Sequence, residues 1–123
     1  MAIFAIIVGL AGIINIYTIK DADQELYKYD SLRLQYSGEA AINFTQLRYY
    51  VLKLITDKTQ AAQKESSKMI TLFKAETEAG MSNLSSNITQ DAAVSADIVA
   101  LNDSIKAGWD SYKKGLSDII TAV

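Results

Sequence analysis

The chain contains no cysteine and no histidine. The lack of cysteine excludes disulfides, thiolate nucleophiles and cysteine-based metal sites. Together the two absences exclude c-type haem attachment, the usual zinc sites and catalytic triads that depend on histidine. The sequence also has no Gly-rich phosphate loop and no nucleophile with a base beside it. We therefore expect a protein that is not an enzyme and that holds no cofactor and no metal ion.

Proline is absent as well, although about 5% is usual in proteins. Nothing in the chain therefore forces a helix to end. Beyond the first 19 residues the sequence is rich in Ala, Leu, Lys, Glu and Gln, and its β-branched residues are spaced singly, so an all-α fold is predicted. The net charge is −2 and no basic stripe is present, so we expect no nucleic acid partner.

Residues 1–19 contain no charged side chain. As a helix they would extend about 28 Å at about 1.5 Å per residue, close to the thickness of the bilayer hydrocarbon. A cleaved signal peptide would need a basic n-region and a small-residue cleavage site, and a domain this small can hardly surround an apolar helix on every side. The segment is predicted to be a transmembrane helix in contact with lipid. It has no basic flank to orient it, and we expect its start to be truncated.

Three helices are predicted in residues 20–123, the first continuous with the membrane span and ending near Ile55. Residues 56–59 form a polar break with candidate N-caps, and the second helix is expected from about Gln60 to Ser86. Residues 85–91 resemble a turn, after which a third helix runs from about Ala92 to at least Ile120. Gly38 is expected to mark a bend or a close contact within the first helix.

Apolar residues recur at three- and four-residue steps in two adjacent stripes on the first helix, which predicts two packing partners. The third helix has one such stripe, from Val94 to Val123, typical of a bundle. These patterns predict a long antiparallel up-down bundle. A first helix with two stripes then lacks one neighbour, and we expect a fourth helix, returning to the membrane, that residues 20–123 do not include.

Three segments resemble a known family: residues 9–17 joined to residues 21–27, residues 40–48, and residues 101–120, in which Trp109 and Tyr112 are three apart. On these segments the chain is similar to the four-helix-bundle sensor domain of bacterial methyl-accepting chemotaxis proteins, which some sensor kinases share. The resemblance covers nearly the whole chain as a diffuse pattern. It implies a membrane receptor in the bacterial cytoplasmic membrane, with residues 20–123 facing the periplasm or the cell exterior.

The resemblance also implies a homodimer that detects a small solute, such as an amino or organic acid, and transmits a helix displacement across the membrane. Two alternatives remain open. The same module can be attached to a histidine kinase or a cyclase, or the chain can be a helical structural or secreted protein without a sensing role. Secreted proteins of this kind lack a membrane span, and this distinguishes the second alternative from a membrane receptor.

Arg33 and Arg48 are the only arginines, and both fall on or beside the apolar stripes of the first helix. A guanidinium near an apolar face needs an anionic partner or ordered water. Because related receptors bind small anions with arginines of the first helix, the resemblance implies a ligand site. Its candidate residues are Arg48, Lys53, Tyr49, Asn43 and Thr45.

Each candidate also has a structural interpretation. An arginine in such a position is more often paired with a carboxylate of another helix, and Asn43 in a helical seam more often fixes register. Trp109 and Tyr112 are predicted to be core or lid residues, because aromatic side chains at helical spacing dominate cores.

Overall fold

The computed structural model of the chain describes Gln24 and residues 26–122. The predicted membrane span, residues 1–19, lies outside the described residues. Among the helices of residues 26–122, none combines the length and the apolar character that crossing a bilayer requires.

Helices account for nearly all of the described chain, and no strand occurs in it. A π-helical segment, Leu26–Ser31, leads directly into helix α1, Leu32–Thr56. Helix α2 is Gln60–Gln90 and helix α3 is Ala96–Ala122. The three helices run up, down and up, so the predicted all-α antiparallel bundle is confirmed.

The turn between α1 and α2 lies where the polar break predicts it. Thr59 has an extended backbone, and its hydroxyl accepts a hydrogen bond from the Ala62 backbone N–H at 3.2 Å. This side chain satisfies one of the N–H groups that a helix start leaves free. The prediction of an N-cap in this break is therefore confirmed at Thr59.

The predicted turn over residues 85–91 is wrong for most of its length, because α2 continues to Gln90. Asn87 and Ile88 are buried, and the Thr89 hydroxyl donates to the Ser85 carbonyl oxygen at 2.9 Å. Polar residues that favour turns in isolation are thus held in the helix by packing and by hydrogen bonds to the preceding turn. The chain reverses instead after Asp91, and α3 begins four residues later than predicted, at Ala96.

The backbones of α1 and α2 approach closely. A Cβ atom built on Gly80 would lie 3.1 Å from the Ala40 Cβ and 3.2 Å from the Ala40 backbone N and Cα. A side chain at position 80 would fit only if Ala40 moved by a few tenths of an ångström. Nothing among the described residues lies within 4 Å of a Cβ on Gly38, so the close contact expected at Gly38 is at Gly80 instead.

A single hydrophobic core joins the three helices. Side chains of α1 and α2 contact Trp109 and Leu116 of α3. Helix α3 lies farther from α1 and α2 than these two lie from each other, and it contacts them through its larger side chains. The buried members of this core are Leu47, Val51, Leu54, Ile70, Trp109 and Leu116. The core is centred in the half of the bundle that contains the α1–α2 turn.

The two predicted stripes of α1 have different environments. The described residues of the first stripe are all buried or half-buried: Tyr29, Tyr36, Ala40, Leu47, Tyr50 and Leu54. In the second stripe Val51 is buried and Phe44 is half-buried, whereas Leu34, Ala41 and Ile55 are exposed. The exposed large side chains of α1 fall within an arc of about 140° at 3.6 residues per turn, roughly opposite the buried ones. We call this set the exposed apolar face: Leu34, Ile42, Tyr49, Leu52 and Ile55.

Candidate functional site

Arg48 lies on the solvent side of α1, within the arc of the exposed apolar face. No carboxylate of residues 26–122 lies within 4.0 Å of its guanidinium. The side chain is close enough to α3 to act on Tyr112: burial raises the pKa of the Tyr112 hydroxyl, and the positive charge of Arg48 opposes that rise. Arg48 is thus a solvent-accessible cation at the border between α1 and α3.

Two other predicted site residues share this face. Tyr49 is 56% exposed and packs edge-on against Tyr50, with ring centroids 5.1 Å apart. Thr45 is exposed, and its hydroxyl donates to the Ala41 carbonyl oxygen at 2.9 Å, which leaves its lone pairs available. Thr45, Arg48 and Tyr49 therefore form one surface on a single helix.

The structure does not bring Asn43 and Lys53 onto the side of α1 that carries Arg48. Each is five residues from Arg48, which places it about 140° around the helix. Asn43 is half-buried on the side facing the bundle, and the Lys53 Nζ lies 3.8 Å from the Asp57 carboxylate. A ligand held by all five predicted residues would have to extend around α1, so the five do not form one compact pocket within a single protomer.

Arg33, in contrast, has the structural role that arginines in such positions more often have. Its guanidinium pairs with Asp30 at 2.9 Å and with Asp91, in the α2–α3 turn, at 2.6 Å. The hydrogen bond from Arg33 lowers the pKa of Asp91, and the backbone N–H of Ala93 lowers it further. This pair fixes the start of α1 to the turn that joins α2 and α3.

Trp109 and Tyr112 link α3 to α1. Their rings stack at 5.7 Å between centroids, and Phe44 of α1 meets both edge-on, at 6.0 Å and 5.0 Å. Trp109 is 8% exposed. The predicted core role of these aromatic side chains is confirmed, because they fill the space between two helices whose backbones are far apart.

An apolar groove of about 330 Å³ lies between α1 and α3 beside this aromatic cluster. Phe44, Trp109 and Tyr112 line it together with smaller side chains such as Ala41 and Gly108. At its edge Ile105 is 42% exposed, and Leu101, in the same stripe of α3, is 61% exposed. The predicted bundle-facing stripe of α3 is therefore only partly covered by α1 and α2.

Two contacts between helices have little or no signal in the sequence. The first is the close approach of Gly80 to Ala40. Its only sign in the sequence is that a small residue occurs among the spaced apolar positions of α2. Asp91 as partner of Arg33 is 58 positions away in the chain. The correct antiparallel register of α1 and α2 would have predicted this pair.

Residues 26–122 thus form an antiparallel helical bundle in which one face of α1 and the groove between α1 and α3 are left uncovered. The chain belongs to the family described as the four helix bundle sensory module for signal transduction, whose family model matches residues 1–123. No curated protein and no solved structure matches the chain significantly.

Proposed function

We propose that this chain is the extracytoplasmic sensory module of a methyl-accepting chemotaxis receptor in a bacterial cytoplasmic membrane. Residues 1–19 lie in the lipid, and the bundle faces the periplasm or the cell exterior. The observation that carries this proposal is the match of the whole chain to a sensory module for signal transduction. The module binds a small amino or organic acid and transmits a displacement of α1 into the membrane.

The exposed apolar face of α1 supports a homodimer. Leu34 is 76% exposed, Ile42 65% and Leu52 62%, and these three side chains lie on one side of a helix of 25 residues. Apolar side chains clustered in this way mark interaction surfaces more often than scattered ones do. A second copy with the same face would bury them in an interface with twofold symmetry.

Arg48 supports ligand binding at that interface. Within one protomer it has no carboxylate partner among the described residues, and it lies beside Thr45 and Tyr49 on the proposed dimer face. A solute carboxylate held between two protomers would meet this guanidinium in a partly desolvated setting, where charge-assisted hydrogen bonds are strong. Binding there would favour one of two packings of the α1 helices.

A hybrid receptor tests this function. The chain replaces the first span and the first three sensory-module helices of a chemotaxis receptor that keeps its own fourth helix, second span and cytoplasmic part. The swimming response of cells to a panel of amino and organic acids is then recorded. We expect at least one acid to change swimming behaviour, and the Arg48→Ala hybrid to lose that response while reaching the same level in the membrane. A hybrid that assembles in the membrane and responds to none of the acids would contradict the proposal.

A further inference from the structure

Helix α1 is continuous with the π-helical segment Leu26–Ser31 that precedes it. Ser31, at the boundary, has helical φ and ψ angles of −67° and −41°, and its side chain caps no backbone N–H. The backbone therefore passes from π-helix to α-helix without a break. A π-helical turn closes its hydrogen bonds between residues i and i+5, one residue more than an α-helical turn. At 3.6 residues per turn, one extra residue rotates the chain before it by about 100° relative to α1.

One side chain connects the π-helical segment to the end of the bundle where α2 turns into α3. Arg33 Nη1 donates to Asp30 Oδ1 at 2.9 Å, within the segment, and Arg33 Nη2 donates to Asp91 Oδ2 at 2.6 Å. The side chains of Arg33 and Asp91 are only 15% and 13% exposed, so water screens their attraction less than at an open surface. A displacement of the α2–α3 turn relative to α1 therefore changes the contacts of the π-helical segment directly.

Without such contacts the segment would be expected to be α-helical. Under about 1% of residues in soluble proteins are π-helical, mostly as single turns within α-helices and often at functional sites. The segment contains neither glycine nor proline, so its sequence permits an α-helix. Its π-helical form thus depends on side-chain contacts, and the two pairs made by Arg33 are its ionic contacts among the described residues.

The packing between this segment and α2 is incomplete. A cleft of about 140 Å³ lies between them, with Tyr29 and Tyr36 on one side and Asn83 and Asn87 on the other. Two of the three buried polar side-chain atoms without a hydrogen-bond partner in the described chain are also found here, Arg33 Nε and Asn87 Oδ1. A close-packed and fully hydrogen-bonded junction would resist a change of register. This junction has space and unpaired groups, so a second register costs less here than in the core.

From these contacts we infer that Leu26–Ser31 is a two-state element, which converts from π-helix to α-helix when the Arg33–Asp91 pair opens. Conversion leaves α1 in the bundle, rotates the chain before residue 26 by about 100° and lengthens the helix by about 1.5 Å, the rise of one residue. The inference rests on the proposed function in one respect, since the rotation reaches a membrane only if residues 1–19 lie in one. It identifies the step by which a displacement within the bundle becomes a rotation of the span.

Two spin labels measure this rotation. Gln24 and Gly38 are exposed and lie on either side of the segment, 14 positions apart. At about 100° per residue they are about 40° apart around a continuous α-helix and about 140° apart when the helix contains one extra residue. Conversion to α-helix therefore shortens the distance between the labels by several ångströms, which pulsed electron paramagnetic resonance resolves.

The chain has no native cysteine, so Gln24→Cys and Gly38→Cys provide the only two labelling sites. A Cβ at position 38 has no described atom within 4 Å outside its own part of the helix, so the label there is tolerated. The full chain is measured in lipid bilayers with an excess of unlabelled chain, so that each distance is one within a single protomer.

Opening the Arg33–Asp91 pair should convert the segment. The unmodified chain should give mainly the longer distance, and Asp91→Asn should raise the ratio of shorter to longer distances at least roughly tenfold, as the loss of a charge-assisted hydrogen bond predicts. Arg33→Gln breaks the same pair from α1 and should shift the ratio in the same direction. Asp103→Asn, which removes an exposed aspartate of α3 outside this pair, is the matched control and should leave the ratio unchanged.

Deletion of Lys28 distinguishes conversion of the segment from a general distortion. Lys28 is exposed, and its removal takes the extra residue out of the segment. A continuous α-helix then keeps the labels about 140° apart. This variant should give only the longer distance, whether or not Asp91→Asn is also present.

Three results would overturn the inference. The first is an unmodified chain that shows only the shorter distance. The second is the same distance distribution in the unmodified chain and in both pair variants, at a temperature at which circular dichroism shows all three folded. The third is a shift on Asp91→Asn that remains after deletion of Lys28. The measurement needs no ligand and no swimming response, so each of these results would reject the switch and leave the proposed function to the hybrid receptor.

Discussion

Arg33 and Arg48 lie on the same helix in opposite electrostatic settings. The side chain of Arg33 is 15% exposed and holds two carboxylates, whereas Arg48 is exposed and has no carboxylate partner among the described residues. Their sequence surroundings are alike, since both lie beside apolar stripes. What separates them is the position of Asp91, which depends on where α2 ends.

Alanine substitution should distinguish the two arginines. Arg48→Ala removes an exposed side chain and should change the free energy of unfolding by no more than about 0.5 kcal/mol. Arg33→Ala leaves the Asp91 carboxylate without its cation and should lower the melting temperature clearly, because that pair joins α1 to the α2–α3 turn. Thermal melts followed by circular dichroism provide the measurement. A larger loss of stability in Arg48→Ala than in Arg33→Ala would show that Arg48 has a structural partner.

Asp91 should also make stability depend on pH. Its pKa is lowered in the folded chain, chiefly by the hydrogen bond from Arg33, so the folded state favours the ionised form. The resulting stabilisation is fully present above the ordinary aspartate pKa of about 3.9 and is lost as the pH falls through the lowered value.

Melts of the unmodified chain and of Asp91→Asn, recorded from neutral to acidic pH, measure this contribution. The stability difference between the two should be largest near neutral pH and should shrink below pH 4 or so. Asp103→Asn, which removes an exposed aspartate of α3 outside the Arg33 pair, is the control and should follow the unmodified chain. A difference between Asp91→Asn and the unmodified chain that stays constant with pH would refute the assignment.

The α1–α2 hairpin is the best-packed element of the bundle. Ala40, Ser66, Thr77 and Gly80 are buried, and these small side chains let the two helix backbones approach each other. Helix α3 packs differently, through Trp109, Tyr112 and Leu116. The hairpin is thus a tight pair on which α3 rests through larger side chains.

Two glycine substitutions should have opposite effects. Gly38→Ala meets nothing among the described residues within 4 Å and should stabilise α1 by about 1 kcal/mol through helix propensity. Gly80→Ala gains the same propensity but forces its Cβ against the Ala40 backbone, and overpacking of this kind costs about 1–3 kcal/mol. The net effect should be a loss of up to about 2 kcal/mol. Chemical denaturation measures both variants, and equal stabilisation by the two would show that α1 and α2 are not in close contact.

The sequence predicts elements better than it predicts their ends and contacts. Periodicity and the absence of proline predict three helices, and Thr59 as N-cap follows from its position in a polar break. Local propensity predicts a turn over residues 85–91, yet the burial of Asn87 and Ile88 keeps residues 85–90 helical. The π-helical segment before α1 has no signal in the periodic pattern, which continues through it.

For the candidate site, the sequence predicts the arginines but not their partners. One face of α1 carries Arg48, Thr45 and Tyr49. Helical spacing alone places them together, so the sequence is sufficient to predict this arrangement. The apolar groove between α1 and α3 depends on the distance that Trp109 and Tyr112 keep between these two helices, so no local pattern predicts it. Contacts between residues far apart in the chain are the part that requires the structure.

At the scale of the whole molecule, two apolar surfaces remain uncovered by the described helices. The groove between α1 and α3 has the aromatic cluster at its base, and the exposed apolar face lies on the far side of α1 from the core. We propose that a fourth helix of the module covers the groove and that a second copy of the chain covers the exposed apolar face. Each surface then has one partner, and α1 is the helix common to both.

The central claim is that α1 is shared between two copies of a membrane-anchored sensory module, and disulfide cross-linking tests it most directly. The chain has no native cysteine, so a single introduced cysteine reports only on its own position. Leu52→Cys places a thiol on the exposed apolar face, and Glu76→Cys places one on the exposed surface of α2. With the full chain in membranes and a mild oxidant, Leu52→Cys should form a covalent dimer rapidly, whereas Glu76→Cys should remain largely monomeric. Equal cross-linking of both variants, or none in Leu52→Cys, would contradict the account.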